Sequence, residues 1–224
     1  MLRCPAAALY DTEPETSTAL TVGQYVDTAL TEPKKLPAFE LAHPEIFKRD
    51  GSPRAEYVKA AEMIARAKAD PVFMEYMAGR KQVIKTGQLD GIPFRVMMDV
   101  YRKGERIVDL KTARDLKPGY IEGVGRVTFA DVWDWPLQMA IYQHIEGGGL
   151  PCFLAVVTKE DPPDLAVVEI SQTMLDYELD RLRKELPRLD AIRRGVIEAP
   201  RCERCAYCRR TKKLKGPRPL AEFI

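Results

Sequence analysis

Long apolar runs are missing from this chain. No window approaches the ~18 consecutive apolar residues of a membrane span. The opening "MLRCPAAALYDTEPE" reaches acids too soon for a secretory signal. A soluble, cytoplasmic protein is therefore expected. An excess of either charge is missing too: 35 basic residues face 33 acidic ones, a net of +2. Any nucleic-acid surface must come from local clustering. Histidine is scarce. His43 precedes a proline and His144 lies near an expected helix end, and neither is assigned a catalytic role. The cysteines do not pair off, for there are five, and Cys202, Cys205 and Cys208 fall within seven residues. That favours a metal site in a reducing compartment over a disulfide framework. Internal repeats and long low-complexity stretches are also lacking. What is present is 46% hydrophobic and 30% charged over 224 residues. This suffices for one large domain, or one domain with an appendage, and excludes global disorder.

Residues 1–31 read as helical, with Leu20, Val22, Val26, Ala29 and Leu30 forming an apolar stripe. A proline-rich connector follows. Helical periodicity returns from Ala55, with Pro71 marking a break and Gly79 a stop. From Lys81 the period changes to two. "KQVIKTGQL", "IPFRVMMDVYR" and "RIVDLKTA" are separated by "DG" and "KGE", which predicts an antiparallel meander. "DWPLQMAIYQHIEGGG" predicts a helix that Pro136 opens and glycines close. "LPCFLAVVTK" and "LAVVEIS" predict two more strands, the first central because it is nearly all apolar, with Cys152 in the core. A long amphipathic helix kinked at Pro187 comes next. The expected fold is α/β, a central mixed sheet flanked by helices. The expected organisation is one domain over 1–200, made of a helical part over 1–80 and a sheet core over 81–200, followed by a cysteine-rich basic segment over 201–224.

Charge inside the expected sheet is the first functional signal. Along "RIVDLKTA" the alternation of side chains puts Ile107, Asp109 and Lys111 on one face. If Val96, Met98 and Val100 share one core face with Val108 and Leu110, the loop Lys103-Gly104-Glu105 must keep an odd length. That register sets Asp99 opposite Asp109, with Lys111 beside them. Opposed carboxylates repel unless a cation lies between them. A hard divalent ion, Mg²⁺ or Mn²⁺, suits such oxygen ligands and can activate water against a phosphodiester. Lys111 can orient that water or offset transition-state charge. A surface ion pair on a half-exposed sheet is the plainer alternative.

Asp99, then Asp109-Leu110-Lys111, then Gln138-x-x-x-Tyr142 resembles the PD-(D/E)XK nuclease superfamily in its RecB-like branch. With "CPAAALYD", "TALTVGQYVD", "HPEIF", "GIPFRVMMDVY", "QMAIYQ" and "CERCAYCRRTKKL", the chain is similar to phage and prophage proteins of the exodeoxyribonuclease VIII (RecE-like) group. The resemblance implies a restriction-endonuclease-like core. It makes Asp99 and Asp109 metal ligands and Lys111 the catalytic lysine. Gln138 and Tyr142 would support the site and touch the DNA backbone. Asp27 stands where many relatives carry a metal-binding histidine, and an oxygen ligand can replace an imidazole for Mg²⁺. The resemblance also implies 5′-to-3′ digestion of one strand from linear duplex ends, a single-strand-annealing recombinase as partner, a ring-like homo-oligomer, and a phage or prophage gene in a bacterial host.

Cys202-x-x-Cys205-x-x-Cys208 needs a fourth ligand to complete a tetrahedral zinc or a four-iron cluster, and Cys4 is the candidate. Iron–sulfur members of the superfamily join one early cysteine to three late ones. An iron–sulfur cluster is thus the first expectation, Zn²⁺ the second and no metal at all the third. Between Arg201 and Arg218 stand eight basic residues and one acid. Among these, Arg209, Arg210, Lys212 and Lys213 are expected to track phosphates. Two other functions remain open: a Cas4-like nuclease trimming single-stranded ends, and a non-catalytic, metal-stabilised DNA-binding module.

Overall fold

Ser17 opens the first long helix by accepting a hydrogen bond from the Leu20 amide, 3.1 Å away. In the computed structural model, which describes residues 3–12, 17–121, 123–214, 216, 217 and 219, the helical start consists of α1 (Pro5–Tyr10) and α2 (Thr18–Thr31). Residues 1, 2 and 13–16 of the expected N-terminal helix, and Lys215 and Arg218 of the basic run, lie outside the described residues. The expected connector is corrected: it holds α3 (Leu36–Ala42) between two 3₁₀ turns. Pro33, Pro37 and Pro44 occupy the first or second position of these turns and helix, where proline's missing N–H has no partner to lose. Next come α4 (Ala55–Ala69) and α5 (Pro71–Tyr76), with Pro71 opening α5.

The meander is present as β1 (Arg80–Leu89), β2 (Ile92–Arg102) and β3 (Arg106–Ala113). Asp90 and Gly91 both take positive φ, as a two-residue hairpin requires. A small hairpin, β4 (Gly119–Ile121) with β5 (Gly125–Val127), leads to α6 (Trp135–Glu146). Gly147, at φ 84°, closes α6. The chain then runs through β6 (Cys152–Thr158), β7 (Leu165–Ile170), α7 (Gln172–Arg193) and α8 (Ala206–Arg210). Pro187 lies inside α7, which stays helical on both sides of it.

The sheet order is β1-β2-β3-β6-β7. β3 and β6 pair in parallel and the other neighbours antiparallel. The parallel pair needs a crossover, and α6 lies in it. The fold class is therefore the expected α/β with a mixed sheet. Two compact units divide the chain: Thr16–Arg183, which contains the sheet, and Met1–Glu15 with Lys184–Ile224.

One expectation about the sheet is corrected. Its core is not on a single face. Val100, Val108 and Leu110 pack with Val26, Ala60 and Met63 of α2 and α4. Val96 and Met98 pack with Ile107, Met139 and Leu154 on the α6 side. Along β2, inward-facing residues therefore change sides at Asp99. Directly across β1 in the register, between the Lys81–Val100 and Val83–Met98 pairs, Gln82 takes φ 50°. A non-glycine residue there breaks the regular pleat of the strand.

Candidate active site

The β2–β3 ladder forms the site by ending early. It keeps only three pairs: Arg102–Arg106, Tyr101–Ile107 and Val100–Val108. The three-residue loop Lys103-Gly104-Glu105 sets this register, and continuing it puts Asp99 across from Asp109, as parity requires. Past Val100 the strands are no longer paired. The Leu110 N–H, left without a backbone acceptor on that side, donates to Asp99 Oδ2 at 2.9 Å. Asp109 stays in the sheet's interior, pairing with Leu154 of β6, and is only 1% exposed.

Helix α6 delivers the next layer. Gln138 and Tyr142 lie one turn apart and so share a face. Gln138 Oε1 accepts from Lys111 Nζ at 2.7 Å, and its Nε2 faces Tyr142 Oη at 2.7 Å and Asp109 Oδ1 at 3.3 Å. Lys111 Nζ also lies 2.6 Å from Asp109 Oδ2, outside hydrogen-bond geometry for that oxygen. It stands 5.4 Å from the Trp135 ring centre, a cation–π distance. The lysine is thus held by an acid, an amide and an aromatic face.

Helix α2 supplies the third acid. Gly23, Asp27 and Thr31 recur every four residues along one side. At Gly23 an added Cβ would stand 3.3 Å from Thr112 Oγ1, so the missing side chain lets α2 approach β3. A cleft of about 300 Å³ lies there, lined by Gly23, Gln24, Asp27, Leu110, Lys111 and Thr112 among others. Gln82 Nε2 sits between Asp27 Oδ2 at 3.3 Å and Asp99 Oδ1 at 3.5 Å, with Thr31 Oγ1 at 3.4 Å. Sequence reasoning missed Gln82. Nothing in "KQVIK" marks it; only its place opposite Asp99 could have.

The electrostatics of this cluster are those of three acids that share one close counter-charge, the Lys111 ammonium beside Asp109. Burial, then the charges of Asp109 and Asp27, push Asp99 up to about 8. Burial, then Asp109 and Glu32, push Asp27 up to about 6. Burial also raises Asp109. Tyr142 is raised by burial and by the Asp109 charge, so its hydroxyl keeps its proton. Three oxygens of the cluster are buried without a hydrogen-bond partner: Asp27 Oδ1, Gln82 Oε1 and Asp109 Oδ2. Unpartnered acceptors and mutually repelling carboxylates fit a hard cation with oxygen ligands.

The other expected residues lie in the second unit. Cys4, Cys202, Cys205 and Cys208 come together, all four Sγ atoms within 4.8 Å of one another. Backbone N–H groups of Arg204 and Cys205 lower the Cys202 thiol to about 6. Arg209 and Arg210 end α8, and Arg210 pairs with Asp11 at 2.6 Å. Lys212 and Lys213 line a separate concavity with Arg201 and Thr211. Cys152 is buried in β6, where burial pushes its thiol up to about 12. No described helix is long and apolar enough to cross a membrane.

Comparison with known proteins agrees with this geometry. The family model described as "PDDEXK-like domain of unknown function (DUF3799)" matches residues 1–211. A crystal structure from Eubacterium rectale, described as that of a candidate exonuclease, is 35% identical, covers 98% of this chain and 85% of its own, and has a TM-score of 0.92. Another solved structure, described as SSO0001, is 13% identical over 81% of each chain with a TM-score of 0.35, too low to bear on the argument. No curated protein matches. The family and the neighbour support nuclease activity and the restriction-endonuclease-like fold. The chain belongs to the PDDEXK-like DUF3799 family, within the PD-(D/E)XK nuclease superfamily.

Proposed function

We propose that this protein is a Mg²⁺- or Mn²⁺-dependent deoxyribonuclease that hydrolyses DNA from the ends of linear duplexes. The observation that carries the reading is the convergence of Asp27, Asp99 and Asp109, with unpartnered buried oxygens, on a lysine held by Gln138. Asp99 and Asp109 would hold the ion, and Asp27 with Gln82 would close its α2 side. When bound, the ion supplies Lewis-acid activation of water and of the scissile phosphate. The chain's residues do the rest. Asp109 and Gln138 aim the Lys111 ammonium, which stabilises charge on the phosphate oxygens and orients the attacking water. Tyr142, protonated, holds Gln138 by accepting from its Nε2 at 2.7 Å. The cleft beside Gly23 admits the phosphate because no side chain fills it.

Attack from DNA ends is supported by the description of the Eubacterium rectale neighbour. The resemblance to the RecE-like group supports 5′-to-3′ digestion, a single-strand-annealing recombinase as partner, and a homo-oligomer around the duplex. Arg209, Arg210, Lys212 and Lys213 would contact phosphates. The test is digestion of end-labelled linear duplex, covalently closed circle and single strand with Mg²⁺, alongside EDTA and Lys111→Ala controls. Loss of one strand from the linear duplex alone is expected. Preference for single strands would favour the Cas4-like activity. Binding without cutting, unchanged by Asp109→Ala, would refute catalysis.

A further inference from the structure

We propose that Cys4, Cys202, Cys205 and Cys208 hold one tetrahedral zinc ion rather than an iron–sulfur cluster. This goes beyond the nuclease reading and stands or falls separately from it. The argument is one of size. In a tetrahedral Zn(Cys)₄ site each sulfur is ~2.3 Å from the metal, so any two sulfurs stand ~3.8 Å apart. Here Cys4 and Cys208 Sγ are 3.6 Å apart, Cys4 and Cys205 3.8 Å, and Cys202 and Cys208 3.9 Å. No pair exceeds 4.8 Å.

A four-iron cluster needs another spacing. Each thiolate binds a different iron and points away from the cube, so neighbouring sulfurs stand on the order of 6 Å apart. A two-iron cluster would likewise hold two pairs far apart. Four sulfurs all within 4.8 Å leave no room for either. Disulfides do not explain the cluster, since no two of these sulfurs are bonded. All four positions are thiols, so no site remains open for substrate, as in structural rather than catalytic zinc centres.

The surroundings are built for such an ion. Cys4 caps α1 and accepts from the Ala7 amide at 3.5 Å. Cys202 accepts from the Cys205 amide at 3.3 Å, and Cys205 from the Cys208 amide at 3.4 Å. These N–H···S bonds stabilise thiolate charge and fix the sulfurs' directions. Arg201 donates to the Cys208 carbonyl at 2.7 Å and pairs with Glu203 at 2.8 Å. The Ala6 amide donates to the Pro200 carbonyl at 3.1 Å, tying the early cysteine's helix to the late segment. The ion would join two stretches of chain about 200 residues apart in sequence.

The experiment is metal analysis of the full chain, purified without oxygen from cells supplied with both metals. Zinc, iron and acid-labile sulfide are measured per chain, and thiols are titrated with a mercurial. One zinc is expected, with no sulfide and no visible absorbance, and its release should track four thiols. Exchange for Co²⁺ should give the intense visible bands of a tetrahedral tetrathiolate. Cys202→Ser, checked for folding by circular dichroism, should weaken zinc binding about 100-fold, one ligand's share of a structural site. Asp109→Ala should keep its zinc, which separates this site from the acid cluster. Iron with matching sulfide would overturn the proposal. So would a single iron without sulfide, or no metal held after anaerobic reconstitution with either.

Discussion

Replacing Asp99 with Asn should stabilise the metal-free protein while removing its response to Mg²⁺. Asp99 is largely buried, and its carboxyl is raised from 3.8 to about 8 by burial first and by Asp109 and Asp27 next. For an acid whose folded pKa lies above its unfolded one, the folded state loses stability as pH rises through the unfolded value. The loss is complete only above the folded value. Raising one carboxyl from 3.8 to about 8 corresponds to an upper limit of about 6 kcal/mol. Three acids share this repulsion and can share protons, so relief from one neutral substitution should be nearer 2 kcal/mol. Asn can still accept from the Leu110 amide, so the backbone contact survives. For a domain of this size 2 kcal/mol is about 4–8 °C in Tm. The assay is thermal unfolding in EDTA and in Mg²⁺ from pH 5 to pH 9. The gain of Asp99→Asn in EDTA should grow with pH and level off above pH 8. Mg²⁺ should raise the Tm of the native chain and leave the variant nearly unmoved. A variant less stable than the native chain in EDTA at pH 8, or equally stabilised by Mg²⁺, would refute the reasoning.

Other predictions follow from the same geometry. Lys111→Ala should lower kcat by about 10²–10³-fold, with Mg²⁺ binding by calorimetry retained, because the lysine acts on charge that develops during reaction. Gln82→Ala should weaken Mg²⁺ binding about tenfold, the usual size of a supporting interaction, while Gln82→Glu should tighten it; equal affinities across the three proteins would remove Gln82 from the site. Gly23→Val should block the cleft beside Thr112 and raise KM more than it lowers kcat, read in steady-state digestion. Changing Arg209, Arg210, Lys212 and Lys213 together to Ala should flatten the salt dependence of DNA binding by up to about four contacts' worth, measured by fluorescence titration.

Some of the site could be read from the chain because parity on a strand is rigid. Once Lys103-Gly104-Glu105 spans the turn, Asp99 and Asp109 must meet, and the structure keeps that register. The Asp90-Gly91 turn, the Pro136 opening of α6 and its Gly147 close were equally local. Burial on one face only was the wrong inference. Hydrophobic alternation shows that a strand has an inner side, but not that the inner side changes partway along. The change at Asp99 coincides with the positive φ of Gln82, a backbone state with no composition to announce it. The prolines of the connector misled for a related reason. Proline forbids the middle of a helix but favours its start, and only the structure tells which of these Pro33, Pro37 and Pro44 do. Gln82 was invisible because its role comes from a cross-strand neighbour 17 residues away.

The pairing of Cys4 with Cys208 also sets an order of events during synthesis. Cys4 is made well before its partners, which come 198 to 204 positions later. By the time those partners emerge from the ribosome, the stretch Thr16–Arg183, with its acid cluster, has emerged ahead of them and can begin to fold. The cysteine unit can close only afterwards. A chain released early would therefore carry a formed sheet and an early thiol waiting for ligands that never arrive.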